Sequence, residues 1–155
     1  MKADLESVDR GKYPFVIVHF HRPMYCSNND RCTSGGGDLL RSEAEDMFNE
    51  YKVNLVITGH VHAYERTYPI YKSSATQFNY TSPSAPVYIM QGASGNREGN
   101  DGVSTSPPDW SAARSSSVGF GLLTVSKDSL SFQYYASNAE ADGGPILEDS
   151  FVLTL

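Results

Sequence analysis

No stretch of this sequence approaches the roughly 20 consecutive apolar residues that span a bilayer; the longest runs, Phe15 to Phe20 and Val53 to Thr58, are far shorter. Nor does the amino terminus hold a signal peptide. Met-Lys-Ala-Asp-Leu-Glu-Ser-Val-Asp-Arg carries charges where an apolar region of about 7–15 residues would be needed. Basic residues are scarce: 12 Lys and Arg stand against 18 Asp and Glu, a formal charge of -6, and no cationic cluster offsets the deficit. This argues against nucleic acid as a partner. Cysteine is rarer still. Cys26 and Cys32 are too few for structural zinc, which takes about four ligands. Their polar loop, Cys-Ser-Asn-Asn-Asp-Arg-Cys, leaves two readings, a local disulfide in an oxidising compartment or two free thiols in cytosol. Internal repeats and low-complexity tracts are lacking too.

What is present suffices for one core. With 155 residues, 39% of them hydrophobic, the chain is one domain or a large piece of one. Leu5 and Val8 are spaced as on one helical face, so the first residues read as the end of a helix whose beginning lies upstream. Phe15-Val-Ile-Val-His-Phe20 is β-branched and aromatic, and predicts a buried strand. Asp38 to Tyr51 places Leu39, Leu40, Ala44, Met47 and Phe48 on one helical stripe, with Asp38 as a potential cap. Val53 to Thr58 predicts a second buried strand, completing a βαβ unit. Short strands are expected at Thr67 to Tyr71, Val87 to Gln91, Gly121 to Val125, Leu130 to Tyr135 and Ser150 to Thr154, with a long polar loop from Gly92 to Ser117.

The chain has four histidines, at 19, 21, 60 and 62, and all lie at or just past the carboxyl ends of the two apolar strands. Ligands of open α/β sheets collect at that end. Residues two apart in an extended segment project to the same side, so the His60-Val61-His62 pair can address two neighbouring metal ions, and Gly59 permits a sharp turn before it.

The segment Gly59-His-Val-His-Ala-Tyr-Glu-Arg66 resembles the Gly-His-x-His signature of calcineurin-like metallophosphoesterases, and its Tyr-Glu-Arg continuation is similar to that of purple acid phosphatases. Val18-His-Phe-His-Arg-Pro-Met-Tyr25 resembles that family's Val-x-x-His motif. Gly92-Ala-Ser-Gly-Asn-Arg-Glu-Gly99, Trp110-Ser-Ala-Ala-Arg114 and Glu148-Asp-Ser-Phe-Val-Leu153 are similar to its carboxyl-terminal segment. The resemblance implies an α/β fold: part of a metallophosphoesterase β-sandwich flanked by helices (residues 1–72), followed by a β-rich carboxyl-terminal segment packed on the same domain (73–155). It implies acid phosphatase activity on phosphomonoesters at a dinuclear centre of Fe(III) and a divalent ion, Zn, Mn or Fe. His21 and His60 would hold the divalent ion and His62 the ferric ion. His19 matches no ligand and reads as structural, while Tyr64, Glu65 and Arg66 would orient the histidine turn.

The family's earlier motifs, which supply aspartates, a tyrosinate and an Asn-His pair, are not found. Gly37-Asp38-Leu-Leu-Arg41 has Arg in place of Tyr and follows the Val-x-x-His motif, and Gly95-Asn96-Arg97-Glu98 has Arg where a His is needed. The expectation is a chain lacking the half that completes the site, inactive alone, with its general acid unidentified. Three neutral imidazoles cannot balance such a centre, and ferric iron prefers anionic oxygen. Two other readings stay open: a short paralogue acting as a binding module, and another calcineurin-like enzyme such as a nucleotidase or phosphodiesterase. For the parent protein, the cysteine pair and the sequon Asn79-Tyr80-Thr81 favour a secreted or vacuolar/lysosomal location with glycan on Asn79.

Overall fold

The computed structural model describes residues 1–28, 32, 36–137 and 143–155, so most of the polar loop between Cys26 and Asp38 lies outside the described residues. Among the described residues two helices and ten strands follow in the order α1 (Lys2–Glu6), β1 (Ile17–His19), α2 (Gly37–Glu50), β2 (Leu55–Thr58), β3 (Tyr64–Thr67), β4 (Ile70–Tyr71), β5 (Ser74–Ala75), β6 (Val87–Gln91), β7 (Ser111–Ser115), β8 (Gly119–Val125), β9 (Ser129–Ala136) and β10 (Ile146–Thr154). A five-stranded sheet has the order β1-β2-β6-β3-β7. Its first three strands are parallel, and β3 and β7 run antiparallel to their neighbours. The parallel part requires a crossover between β1 and β2, which α2 supplies.

Both faces of this sheet are covered, which is why β2 and β6 read as unbroken apolar runs. Leu55, Tyr64, Val87 and Ile89 point into one core with Leu130, Phe132, Tyr134, Phe151 and Leu153 of a second sheet, the meander β8-β9-β10. Val56 and Tyr88 point the other way, onto Ala44 and Phe48 of α2 and onto Met24 and Tyr25. Tyr25 meets Tyr88 and Trp110 edge-on, at ring-centroid distances of 4.9 and 5.6 Å. In β9, Leu130, Phe132, Tyr134 and Ala136 face inward and alternate with half-buried residues, as a strand with one covered face should. Tyr64 stacks on Tyr134 with centroids 4.0 Å apart and joins the two sheets.

Several expectations need correction. The strand expected over Phe15–Phe20 forms only at Ile17–His19 and is an edge strand, with Ile17 and His19 exposed, because among the described residues β2 alone pairs with it. Asp38 does not cap α2: Gly36, in the left-handed region at φ 83°, occupies the cap, and Asp38 lies in the first turn paired with Arg41 at 2.8 Å. Val8 lies beyond α1. The strand expected at Thr67–Tyr71 is two strands, β3 and β4, and β7 lies within the stretch expected to be loop.

Candidate metal centre

The carboxyl ends of β1 and β2 are adjacent because the strands pair in register, Ile17 with Leu55 and His19 with Ile57. Beyond the strands the two loops stay joined, since the Gly59 N–H donates to the His21 carbonyl at 2.9 Å. The next residues turn tightly. Val61 N–H donates to Gly59 O and Ala63 N–H to Val61 O, both at 2.9 Å, three-residue turns in succession. The left-handed residue here is His60, at φ 72°, and not the expected Gly59. A non-glycine residue in that region costs on the order of 1–3 kcal/mol and persists where its surroundings hold it.

This backbone brings His21 and His60 together. His60 Nδ1 lies 3.2 Å from His21 Nε2, and the rings meet edge-on with centroids 5.1 Å apart. Arg22 Nη1 lies 3.1 Å from His60 Nε2. Guanidinium can only donate, so in the metal-free ring His60 Nε2 accepts and Nδ1 carries the hydrogen shared with His21; an ion on Nδ1 would move that hydrogen to Nε2 and release Arg22. Two imidazole nitrogens bound to one tetrahedral ion at about 2.0–2.1 Å would stand ~3.3 Å apart, close to the spacing found. His21 also lines a cavity of about 350 Å³ with Phe20, Thr58, Gly59 and Gln91 at the same ends of β1, β2 and β6.

His62 is held separately. Its N–H donates to Asp101 Oδ2 and its carbonyl accepts from the Asp101 N–H, both at 2.8 Å. Its Nδ1 is buried without a hydrogen bond, with Glu98 Oε2 3.9 Å away. Neither Glu98 nor Asp101 was expected here, since no spacing in the sequence links the 98–101 loop to the histidine turn. His19 ends the edge strand, exposed, and lines the same cavity as His21. Among the described residues no three His, Cys, Asp or Glu side chains converge as a complete metal site. The donors present therefore fit part of one: imidazoles suit a divalent ion, whereas the anionic oxygens that ferric iron prefers are not gathered with them.

Tyr64, Glu65 and Arg66 enter β3 directly after the turn, and all are buried. Their side chains turn to partners other than the expected histidine turn. Arg66 grips Asp149 with Nε–Oδ2 at 2.7 Å and Nη2–Oδ1 at 2.8 Å, and the Tyr64 hydroxyl donates to Oδ2 at 2.7 Å. Burial pulls the Asp149 carboxyl upward, but the hydrogen bonds and charge of Arg66, with the Tyr64 hydroxyl, outweigh it and hold it below the usual carboxylate value. Glu65 accepts from Ser27 N–H at 2.7 Å, from the Ser27 hydroxyl and from Ser111 Oγ at 2.6 Å. Through Ser27 it holds the segment after Cys26, which is disulfide-bonded to Cys32. Asn79 is exposed, and its Oδ1 accepts from the Thr81 N–H.

A strand–helix–strand with histidines past both strands, packed on a second sheet, is the architecture of the calcineurin-like phosphoesterases, and residues 2–64 match that family. Residues 85–146 match the family described as iron/zinc purple acid phosphatase-like protein C. The chain belongs to the purple acid phosphatase family. It is 39% identical over 158 residues to a phosphoenolpyruvate phosphatase of Allium cepa, covering 98% of this chain and 32% of that protein. It is 35% identical over 156 residues to the Fe(3+)-Zn(2+) purple acid phosphatase 12 of Arabidopsis thaliana, covering 97% of this chain and 32% of that one. A purple acid phosphatase from yellow lupin (Lupinus luteus) seeds superposes with a TM-score of 0.78 at 26% identity, over 99% of this chain and 27% of that chain. The chain thus spans about a third of the length of its curated relatives.

Proposed function

We propose that this chain is the carboxyl-terminal portion of an acid phosphatase that hydrolyses phosphomonoesters at a dinuclear Fe(III)–divalent metal centre. The observation that carries the reading is the convergence of His21 and His60, from different strands, with ring nitrogens 3.2 Å apart. His21 and His60 would hold the divalent ion and His62 the ferric ion. Bound, the metals supply Lewis acidity and a water acidic enough to act as nucleophile near neutral pH. The chain's own contribution is to fix the imidazoles: the Gly59–His21 backbone bond sets one pair, and Asp101 sets the backbone of His62. Residues 1–72 carry these ligands and residues 73–155 brace them within the same domain, in keeping with a core shared by β2, β6, β9 and β10. The remaining ligands come from the part of its relatives that this chain does not span, and the chain alone is expected to turn over no p-nitrophenyl phosphate at pH 5 above background.

The test is metal analysis of four variants in a protein completed with that part. His21→Ala and His60→Ala are expected to lose the divalent ion and keep most of the iron, His62→Ala to lose iron, and His19→Ala to keep both. Full occupancy in all four would remove the assignment. No helix is long and apolar enough to cross a membrane among the described residues. A secreted or vacuolar/lysosomal parent accords with the disulfide and the exposed sequon. Passed through a secretory pathway, the chain should emerge with glycan on Asn79 and without free thiols; peptide mass mapping that found bare Asn79 and two alkylated cysteines would count against that location.

A further inference from the structure

The geometry points to Glu98 as the positioning residue for His62, the carboxylate that accepts from its Nδ1–H and so leaves Nε2 as the ligating nitrogen. The inference rests on the proposed metal-binding role of His62 and adds a partner that fixes its tautomer.

Three observations carry it. The first is the buried Nδ1 of His62, which makes no hydrogen bond, although interior polar atoms almost always have partners. The second is the facing group: Glu98 Oε2 stands 3.9 Å from that atom, on a side chain that is 57% exposed and free to move closer. A charge-assisted N–H···O bond is about 2.7–2.9 Å long, so roughly 1 Å of travel makes one. The third is that the loop is built to present this carboxylate. Gly95 and Gly99 take left-handed conformations at φ 94° and 83°. Between them, Asn96 Oδ1 accepts the Glu98 N–H at 2.7 Å, and Asn96 Nδ2 donates to Gly99 O at 3.3 Å. Two residues further on, Asp101 fastens the same loop to the His62 backbone through both its N–H and its carboxylate. The loop is therefore tied to the histidine backbone, and only the last gap is left to the Glu98 side chain.

A metal-bound histidine generally donates its other ring N–H to a carboxylate, carbonyl or water, which fixes ring and tautomer and makes the ligating nitrogen more basic. Asp101 holds the backbone of His62, through its N–H and its Oδ2. Glu98 has the reach and the charge.

The experiment uses the chain as it is, labelled with ¹⁵N-histidine and kept metal-free at about pH 8.5, where ordinary imidazoles are neutral. Long-range ¹H–¹⁵N correlation reads each ring's tautomer, and His62→Gln assigns the His62 signals. In the unsubstituted chain His62 is expected to carry its hydrogen on Nδ1. Glu98→Gln, which retains an acceptor oxygen, should preserve this, and Glu98→Ala should move the hydrogen towards Nε2 while leaving His19 unchanged. An Nε2–H tautomer in the unsubstituted chain, or an Nδ1–H tautomer indifferent to Glu98→Ala, would overturn the assignment. Adding Zn²⁺ separates this from the metal reading. If Zn²⁺ shifts the His62 signals, Glu98→Ala should weaken that binding about 10-fold, and an unchanged affinity would count against Glu98. Signals of His21, His60 and His62 all indifferent to Zn²⁺ would show that the ion needs the ligands this chain does not carry, with the tautomer still deciding the role of Glu98.

Discussion

Replacing Asp149 with Ala is expected to remove about 3–5 kcal/mol of stability, the usual result of leaving a buried cation without its partner. Set against a total of roughly 5–15 kcal/mol for a domain, that brings the chain to the edge of unfolding. Arg66 is 7% exposed and Asp149 13%, so water cannot take over the lost contacts. The loss should show in urea unfolding as a lower midpoint with little change in slope. A double change, Arg66→Met with Asp149→Leu, should cost less than the single one, because it removes the stranded charge along with its partner. If Asp149→Ala costs under about 1 kcal/mol, the pair does not join β3 to β10 energetically. The sign of the pH dependence follows from the depressed carboxyl. Its stabilisation is fully present above the unfolded value of about 3.9 and is lost as pH falls through the lower, folded value. The gap between the parent chain and Asp149→Asn should therefore narrow only below about pH 4.

Gly92→Ala should strike both stability and the proposed metal site. A methyl group there would lie 1.9 Å from the Val61 carbonyl oxygen and 2.7 Å from its carbon, and backbone cannot swing aside as a side chain can. The Gly92 N–H also donates to Ala63 O, so the collision falls on a bond that pins the histidine turn to β6. A loss of about 3 kcal/mol is expected, at the upper end of ordinary overpacking. In the completed protein, displacement of His60 and His62 should lower kcat/KM by roughly 100-fold, the effect of misplacing reacting groups by about 1 Å. The same change at Gly102, where added carbon meets nothing within 4 Å, is the control. Equal behaviour of the two variants would show that the turn tolerates movement.

How much of this was legible in the sequence depended on whether the cause was local. The α2 stripe and the apolar runs of β2 and β6 carry their own signal, and those elements formed within a residue or two of expectation. The convergence of His21 and His60 was legible as well, because a βαβ unit brings the carboxyl ends of its strands together. Strand β7, Ser-Ala-Ala-Arg-Ser, has neither β-branched nor aromatic residues and exists because β3 offers it a ladder. Strand β3 was hidden by its own charges. Glu65 and Arg66 look like surface residues until Ser27, Ser111 and Asp149 arrive from as far as 83 positions away. Glu98 and Asp101 reach His62 through a loop whose path follows no periodicity.

Trp110 is the single tryptophan of the chain, and it packs beside Tyr25 on the α2 side of the main sheet. The β8–β10 meander carries tyrosines and phenylalanines only. Indole emission thus watches one layer of the molecule, while the backbone amide resonances of β8–β10 watch the other. Coincident melting curves from the two signals mean that the layers come apart as one cooperative unit, and separated curves mean that the meander peels away while the layer bearing the histidines is still standing.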